Sequence, residues 1–162
     1  MSSLSRKVVV FACSYCGYTA ADLAGSMRLE QPTSVRIVRL MCTGRTDPVM
    51  LLRTLHAGAD AAVVVGCQRG DCHYQEGNMR AKAVVQRTKE LVAEVGLEPG
   101  RLEFFHIAAS EAHGWVSAVE EMTERARRLG PNPLRSPQSR QGSVASMSAT
   151  GVAVSEEGQR ES

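Results

Sequence analysis

No stretch of this 162-residue chain approaches the roughly 20 consecutive apolar residues that a membrane helix requires, so insertion into a bilayer is not expected. Aromatic residues make up only 4%. That is too few for a platform on which nucleic-acid bases stack. An excess of charge of one sign is also missing. The formal net charge is +2, too small to draw nucleic acid or an anionic membrane surface. The opening residues, Met-Ser-Ser-Leu-Ser-Arg-Lys, run straight into an apolar segment without the features of a secretory leader, which points to a cytoplasmic protein. Neither phosphate-loop pattern, Gly-x-Gly-x-x-Gly or Gly-x4-Gly-Lys-[Ser/Thr], occurs, nor does the nucleophile elbow Gly-x-Ser-x-Gly. No catalytic residue is therefore expected.

Cysteine is absent after Cys72; all five cysteines lie within the first 72 residues. The hydrophobic fraction is 43% and the charged fraction 22%, ordinary for a globular chain long enough to bury a core without disulfides. An odd number of thiols in such a domain points to metal, cluster or redox chemistry.

Residues 7–12 (Lys-Val-Val-Val-Phe-Ala) form a continuous apolar run, the pattern of a parallel strand buried on both faces. It ends at Cys13. A helix rich in small residues is expected over 18–29, stopped by Pro32. A second strand, 35–41, ends at Cys42. Asp47-Pro48 then opens a helix that stops at Gly58. A third strand, 60–66, ends at Cys67. Ala81, Val84, Val85, Thr88, Leu91, Val92 and Val95 mark one face of a long helix. A fourth strand is expected over 101–108. A last helix follows, capped by Ser110, with Trp115, Val119, Met122, Ala126 and Leu129 on its core side.

This alternation predicts an α/β fold: a four-stranded parallel sheet with helices on both faces, doubly wound in the flavodoxin-like manner. The domain is expected to span 1–130. Residues 131–162, rich in Ser, Pro and Gln, read as a disordered tail without a role of its own.

Ligands of such sheets bind beyond the carboxyl ends of the strands. Cys13, Cys42 and Cys67 fall there, with Cys16 and Cys72 on the same loops. A single cysteine is ordinarily a small buried hydrophobe; five at three strand ends are not explained that way. Three chemistries compete. An iron–sulfur cluster takes four thiolates. Structural zinc favours two close Cys pairs, and only Cys13-x2-Cys16 has that spacing. Thiol–disulfide exchange at Cys13 and Cys16 would use the helix N-terminus to lower a thiol pKa, but leaves Cys42, Cys67 and Cys72 idle. The surroundings favour the cluster. Gly17, Gly44, Gly66 and Gly70 expose backbone N–H groups beside the thiols, and Arg45 and Arg69 offset negative charge or are simply solvated. His73 reads as a neighbour of the site or as surface, since a Rieske-type centre needs two histidines. Tyr15, Tyr18 and Tyr74 read as shields.

The chain resembles the hydrogenase iron–sulfur subunit family, that of the delta subunit of methyl-viologen-reducing hydrogenase. The resemblance is carried by residues 11–16 (Phe-Ala-Cys-Ser-Tyr-Cys), 20–25 (Ala-Ala-Asp-Leu-Ala-Gly), 42–45 (Cys-Thr-Gly-Arg), Asp47-Pro48, 58–60 (Gly-Ala-Asp), 65–67 (Val-Gly-Cys), 70–74 (Gly-Asp-Cys-His-Tyr), Gly77-Asn78 and 109–111 (Ala-Ser-Glu). It covers about residues 7–128. It implies a [2Fe–2S] cluster held by four of Cys13, Cys16, Cys42, Cys67 and Cys72. It also implies electron relay between a hydrogenase or formate dehydrogenase and a heterodisulfide reductase A-type flavin and iron–sulfur subunit. Gln68-Arg69 departs from the family, where relatives commonly carry His-Pro; this alters loop rigidity and the charge near the thiols. The remaining alternatives are a zinc-stabilised interaction module and a Cys-x-x-Cys thiol–disulfide oxidoreductase.

Overall fold

β1 (Val8–Cys13) and β3 (Ala61–Gly66) are the two central strands of one sheet, flanked by β2 (Val35–Leu40) and β4 (Leu102–His106). The computed structural model describes residues 6–135. The strand order is β2-β1-β3-β4 and every pairing is parallel. Among the described residues four α-helices cover the sheet: α1 (Gly17–Ser26), α2 (Pro48–His56), α3 (Gly77–Glu94) and α4 (Ala112–Leu129). The expected architecture is present.

The central strands read as unbroken apolar runs because both of their faces are buried. On one face Val8, Val10, Ala12, Ala61, Val63 and Val65 meet α1 and α4, with Trp115 and Met122 fully enclosed. On the other, Phe11, Ala62 and Val64 meet Leu51, Leu55, Val85 and Val92 of α2 and α3. Each enclosed valine contributes about 1.5–3 kcal/mol relative to exposure. β2 differs: Arg36, Ile37, Val38 and Arg39 are all exposed.

Local signals account for most boundaries. The Asp47 carboxylate accepts from Met50 N at 2.8 Å and Pro48 takes the first helical position. Gly58 closes α2 at φ 92°. Ser110 does not cap α4; Glu111 occupies that position and turns its carboxylate back on the Ala108 N–H. The longer side chain reaches a loop donor that a serine at that place does not. The packed chain also continues past residue 130. Asn132 is buried, donating to Leu55 O and Ala59 O, and Asp60 Oδ1 accepts from Asn132 N at 2.9 Å. The rest of the expected tail, 136–162, lies outside the described residues.

The winding places the thiols. From β1 the chain turns outward to β2, then crosses back over β1 to β3. The order in which strands are added therefore reverses between β1 and β3. That crevice, at the carboxyl ends, is where doubly wound sheets hold ligands. Cys13 ends β1 and Cys67 follows β3.

Candidate metal centre

Close backbone approach brings the first thiols together. A Cβ on Gly17 would lie 2.8 Å from Val65 Cγ1 and 2.9 Å from Val65 O, so only glycine lets α1 begin against the end of β3. This seats Cys16, the residue before α1, beside Cys67. Cys16 Sγ lies 2.8 Å and Cys13 Sγ 3.7 Å from Cys67 Sγ. All three sulfurs lie within 4.8 Å of one another and all three residues are buried. The 3.7 Å separation is close to that of two thiolates on one tetrahedral metal with bonds of about 2.3 Å, whereas the 2.8 Å contact of Cys16 with Cys67 is a thiol hydrogen bond that has to open for both to bind one ion.

Cys42 and Cys72 meet a few residues away, at the start of α3. A Cβ on Gly77 would overlap Cys42 Sγ, far inside the 3.0 Å that real Cβ atoms respect, and would sit 3.4 Å from Cys72 Sγ. Gly44 faces the same spot: its own Cβ would lie 2.9 Å from Gly77 Cα. Two glycines thus pack backbone on backbone and leave room for sulfur. Cys42 is buried and its Sγ accepts from Gly44 N at 3.3 Å; Cys72 is half-buried. The five cysteines therefore lie at one edge of the sheet as a buried trio and a neighbouring pair.

The electrostatics of the trio are those of a site short of positive charge. Cys13 is pulled down to about 5, first by the thiol of Cys16 donating to it, then against burial by the Tyr15 and Cys16 backbone N–H groups. Cys16 is pushed up by serving as that donor and by burial, and burial pushes Cys67 up to about 11. Burial also raises Cys42. One thiolate is tolerated here; several need a cation among them. The buried sulfur donors, with the Cys42 sulfur seated directly on Gly77, fit a thiolate-bound metal group.

Two residues not singled out as site residues from the sequence hold the Cys67 loop. Asn78, buried in the first turn of α3, donates from Nδ2 to Cys67 O at 2.9 Å and to Gln68 O at 2.8 Å. His106 Nδ1 lies 2.8 Å from Cys67 O and donates to it. Gln68 in turn donates to His106 O and to the Glu111 carboxylate at 2.9 Å. The Gly77-Asn78 pair was a visible signal for Asn78. His106, on the far strand, had none.

The other expected neighbours are distributed unevenly. His73 is exposed and stacks on Tyr15 with ring centroids 4.1 Å apart, and Tyr74 meets both rings edge-on. These three rings form an aromatic cap on the Cys13 and Cys72 loops. Tyr18 stands apart from it, under the Arg39 guanidinium at 5.1 Å. Arg45 and Arg69 are exposed. His56 and His113 are exposed on α2 and α4.

The class that fold and site define is a doubly wound α/β domain with five thiols at the carboxyl edge of its sheet, three of them close enough together to hold a metal ion. Residues 8–130 match the family model described as methyl-viologen-reducing hydrogenase, delta subunit. The chain is 48% identical over 128 residues to the iron-sulfur subunit of the vhu F420-non-reducing hydrogenase of Methanocaldococcus jannaschii, covering 79% of this chain and 96% of that one. Its counterpart in Methanopyrus kandleri is 47% identical over 124 residues, 76% of this chain and 94% of the relative. The A-type subunit of the ferredoxin:CoB-CoM heterodisulfide reductase of Methanosarcina mazei is 39% identical over 124 residues, 76% of this chain but 16% of that longer protein. The chain belongs to the family of the methyl-viologen-reducing hydrogenase delta subunit.

Proposed function

We propose that this chain is an electron-transfer subunit that binds one [2Fe–2S] cluster. It relays electrons between a hydrogenase or formate dehydrogenase and a heterodisulfide reductase A-type flavin and iron–sulfur subunit, in the cytoplasm. The observation that carries the reading is the gathering of Cys13, Cys16 and Cys67 within 4.8 Å, with Cys42 and Cys72 converging on Gly77 beside them. The iron-sulfur names of the relatives support the cluster, and the longer Methanosarcina mazei protein supports the partner. No substrate chemistry is assigned to the chain itself.

Four of Cys13, Cys16, Cys42, Cys67 and Cys72 hold the cluster. Since three belong to the trio and two to the pair, any four include at least one of Cys42 and Cys72. The cluster, when bound, accepts and returns single electrons. The protein does the rest. Asn78 and His106 fix the Cys67 peptide, so that its sulfur is held rather than mobile. The Gly44 N–H stabilises negative charge on Cys42. The Tyr15, His73 and Tyr74 rings limit water at the exposed side.

The lowered Cys13 pKa favours thiol exchange as a second reading. Burial opposes it: Cys13 is 2% and Cys16 5% exposed, so a protein disulfide has no approach to either sulfur. Zinc would satisfy the same sulfurs. Cys67→Ser and Cys72→Ser, each purified anaerobically, separate these. The proposal expects Cys67→Ser to lose its iron and colour and Cys72→Ser to lose much of both. Full retention of iron in both variants overturns it.

A further inference from the structure

We infer that the groove between α2 and the uncovered face of β2 is the seat of the heterodisulfide reductase A-type subunit. This inference rests on the proposed function for its partner, and adds the surface.

β2 is under-covered. Its outer edge has no strand partner among the described residues. Val38 is 40% exposed on the α2 side and Ile37 41% on the other. Edge strands are ordinarily shortened, bulged, charged or covered; this one carries exposed Arg36 and Arg39 but leaves Ile37 and Val38 open between them. α2 packs on β3 and α3, and on its side of the sheet Val38 of β2 stays open. The result is a largely apolar groove of about 740 Å³, with Val9, Phe11 and Val38 as floor and Val49, Met50 and Thr54 of α2 as wall. Val49 at its rim is 55% exposed. The groove is apolar along its floor and charged at its rim, where Lys7, Asp47 and Arg53 stand, the make-up of an apolar contact bordered by polar residues.

The fold also shows where the partner enters. Lys7 N donates to Asp60 Oδ2 and Asn132 N to Asp60 Oδ1, each at 2.9 Å. Arg135 packs on Gly58 and pairs with the same carboxylate. The two ends of the packed chain thus meet at Asp60. Lys7, Ala57 and Ala59, around that carboxylate, form the lower end of the groove. In the Methanosarcina mazei reductase, the matched stretch is one part of a much longer polypeptide. The remainder of that polypeptide leaves the domain through one of these two ends. It is therefore tethered at the mouth of the groove, at high effective concentration. The upper end of the groove, Asp47 and Val49, directly follows the Cys42–Arg45 turn. A partner lying along it reaches the thiol edge without covering the aromatic cap, which stays free for a second electron partner.

The test mixes the cluster-loaded full chain with the purified heterodisulfide reductase A-type subunit of the same organism, anaerobically. Hydrogen exchange is expected to slow in Val35–Leu40 and in Pro48–His56. The double variant Val38→Asp with Val49→Asp, both on exposed positions, is expected to keep its iron and to bind at least tenfold more weakly. Undiminished binding by that variant, or protection confined to the loops of Tyr15 and Tyr74, overturns the groove and leaves the proposed function standing. Absence of any binding by the unaltered chain overturns both the groove and the partner, with the iron content still deciding the cofactor separately. Two further outcomes name another occupant and also overturn it. In one, a chain ending at Arg135 exchanges faster in Val35–Leu40 without partner, so residues 136–162 cover the groove. In the other, a dimer becomes monomeric in the double variant, so a second copy covers it.

Discussion

Gly77→Ala is the sharpest perturbation of the thiol edge. One methyl group is added at the buried point where Cys42 and Cys72 converge. It would overlap Cys42 Sγ and stand 3.4 Å from Cys72 Sγ. An ordinary contact of about 3.5–4.0 Å requires Cys42 Sγ to retreat by at least about 1 Å. The Cys42 turn has little freedom to do so, because Gly44 already lies backbone to backbone against Gly77. Metal–ligand distances tolerate only about 0.2 Å, so the retreat removes Cys42 from any shared site. The fold itself survives. Overpacking costs about 1–3 kcal/mol, partly offset by up to about 1 kcal/mol of better helix propensity. A domain of ordinary stability holds about 5–15 kcal/mol. The expected outcome is a folded variant, by circular dichroism and thermal melting, with iron and sulfide well below those of the unaltered chain. Gly25→Ala is the control. That glycine is exposed in α1 and a Cβ there meets nothing within 4 Å, so iron is unchanged and stability rises slightly. Full iron in Gly77→Ala would refute the assignment of Cys42 to the four ligands, on which this prediction rests, and leave Cys72 as the ligand from the pair.

Asn78→Ala removes two hydrogen bonds to the carbonyls of Cys67 and Gln68. It should cost about 1–3 kcal/mol in urea unfolding and speed the loss of cluster colour in air; unchanged colour loss would assign Asn78 a purely structural role. Arg101→Met acts at the opposite edge of the sheet. Arg101 is 1% exposed and donates to the carbonyls of Asp60, Leu129, Gly130 and Pro131. Its partner Glu98 is half-exposed, so that ion pair contributes little; the unpaired carbonyls should lower stability by at least about 2 kcal/mol. Iron content per folded chain should not change, and a drop would contradict the separation of the two edges.

The sheet was legible because β1 and β3 are buried on both faces and so leave unbroken apolar runs such as Val63-Val64-Val65. β2 was legible for another reason: its flanks, Pro32 and the Cys42-Thr43-Gly44 turn, bound a β-branched segment even though its middle is exposed. Strand ends then brought Cys13, Cys42 and Cys67 to one edge. Their division into a trio and a pair was not legible, because it depends on Gly17 against Val65 and Gly77 against Gly44, contacts between residues distant in sequence. His106 escaped for the same reason: nothing local links the last strand to the Cys67 carbonyl. The packing of Asn132 was hidden by its neighbours, whose Ser, Pro and Gln composition describes solvent exposure, while its own amide meets Leu55 O and Ala59 O.

The most direct measurement of the central claim is metal analysis of the full chain after anaerobic purification and reconstitution, paired with electron paramagnetic resonance after dithionite. The account predicts about two iron and two sulfide per chain and a signal that appears only on reduction. About one zinc per chain with no iron, or a chain that binds no metal after reconstitution with iron and sulfide, would contradict it.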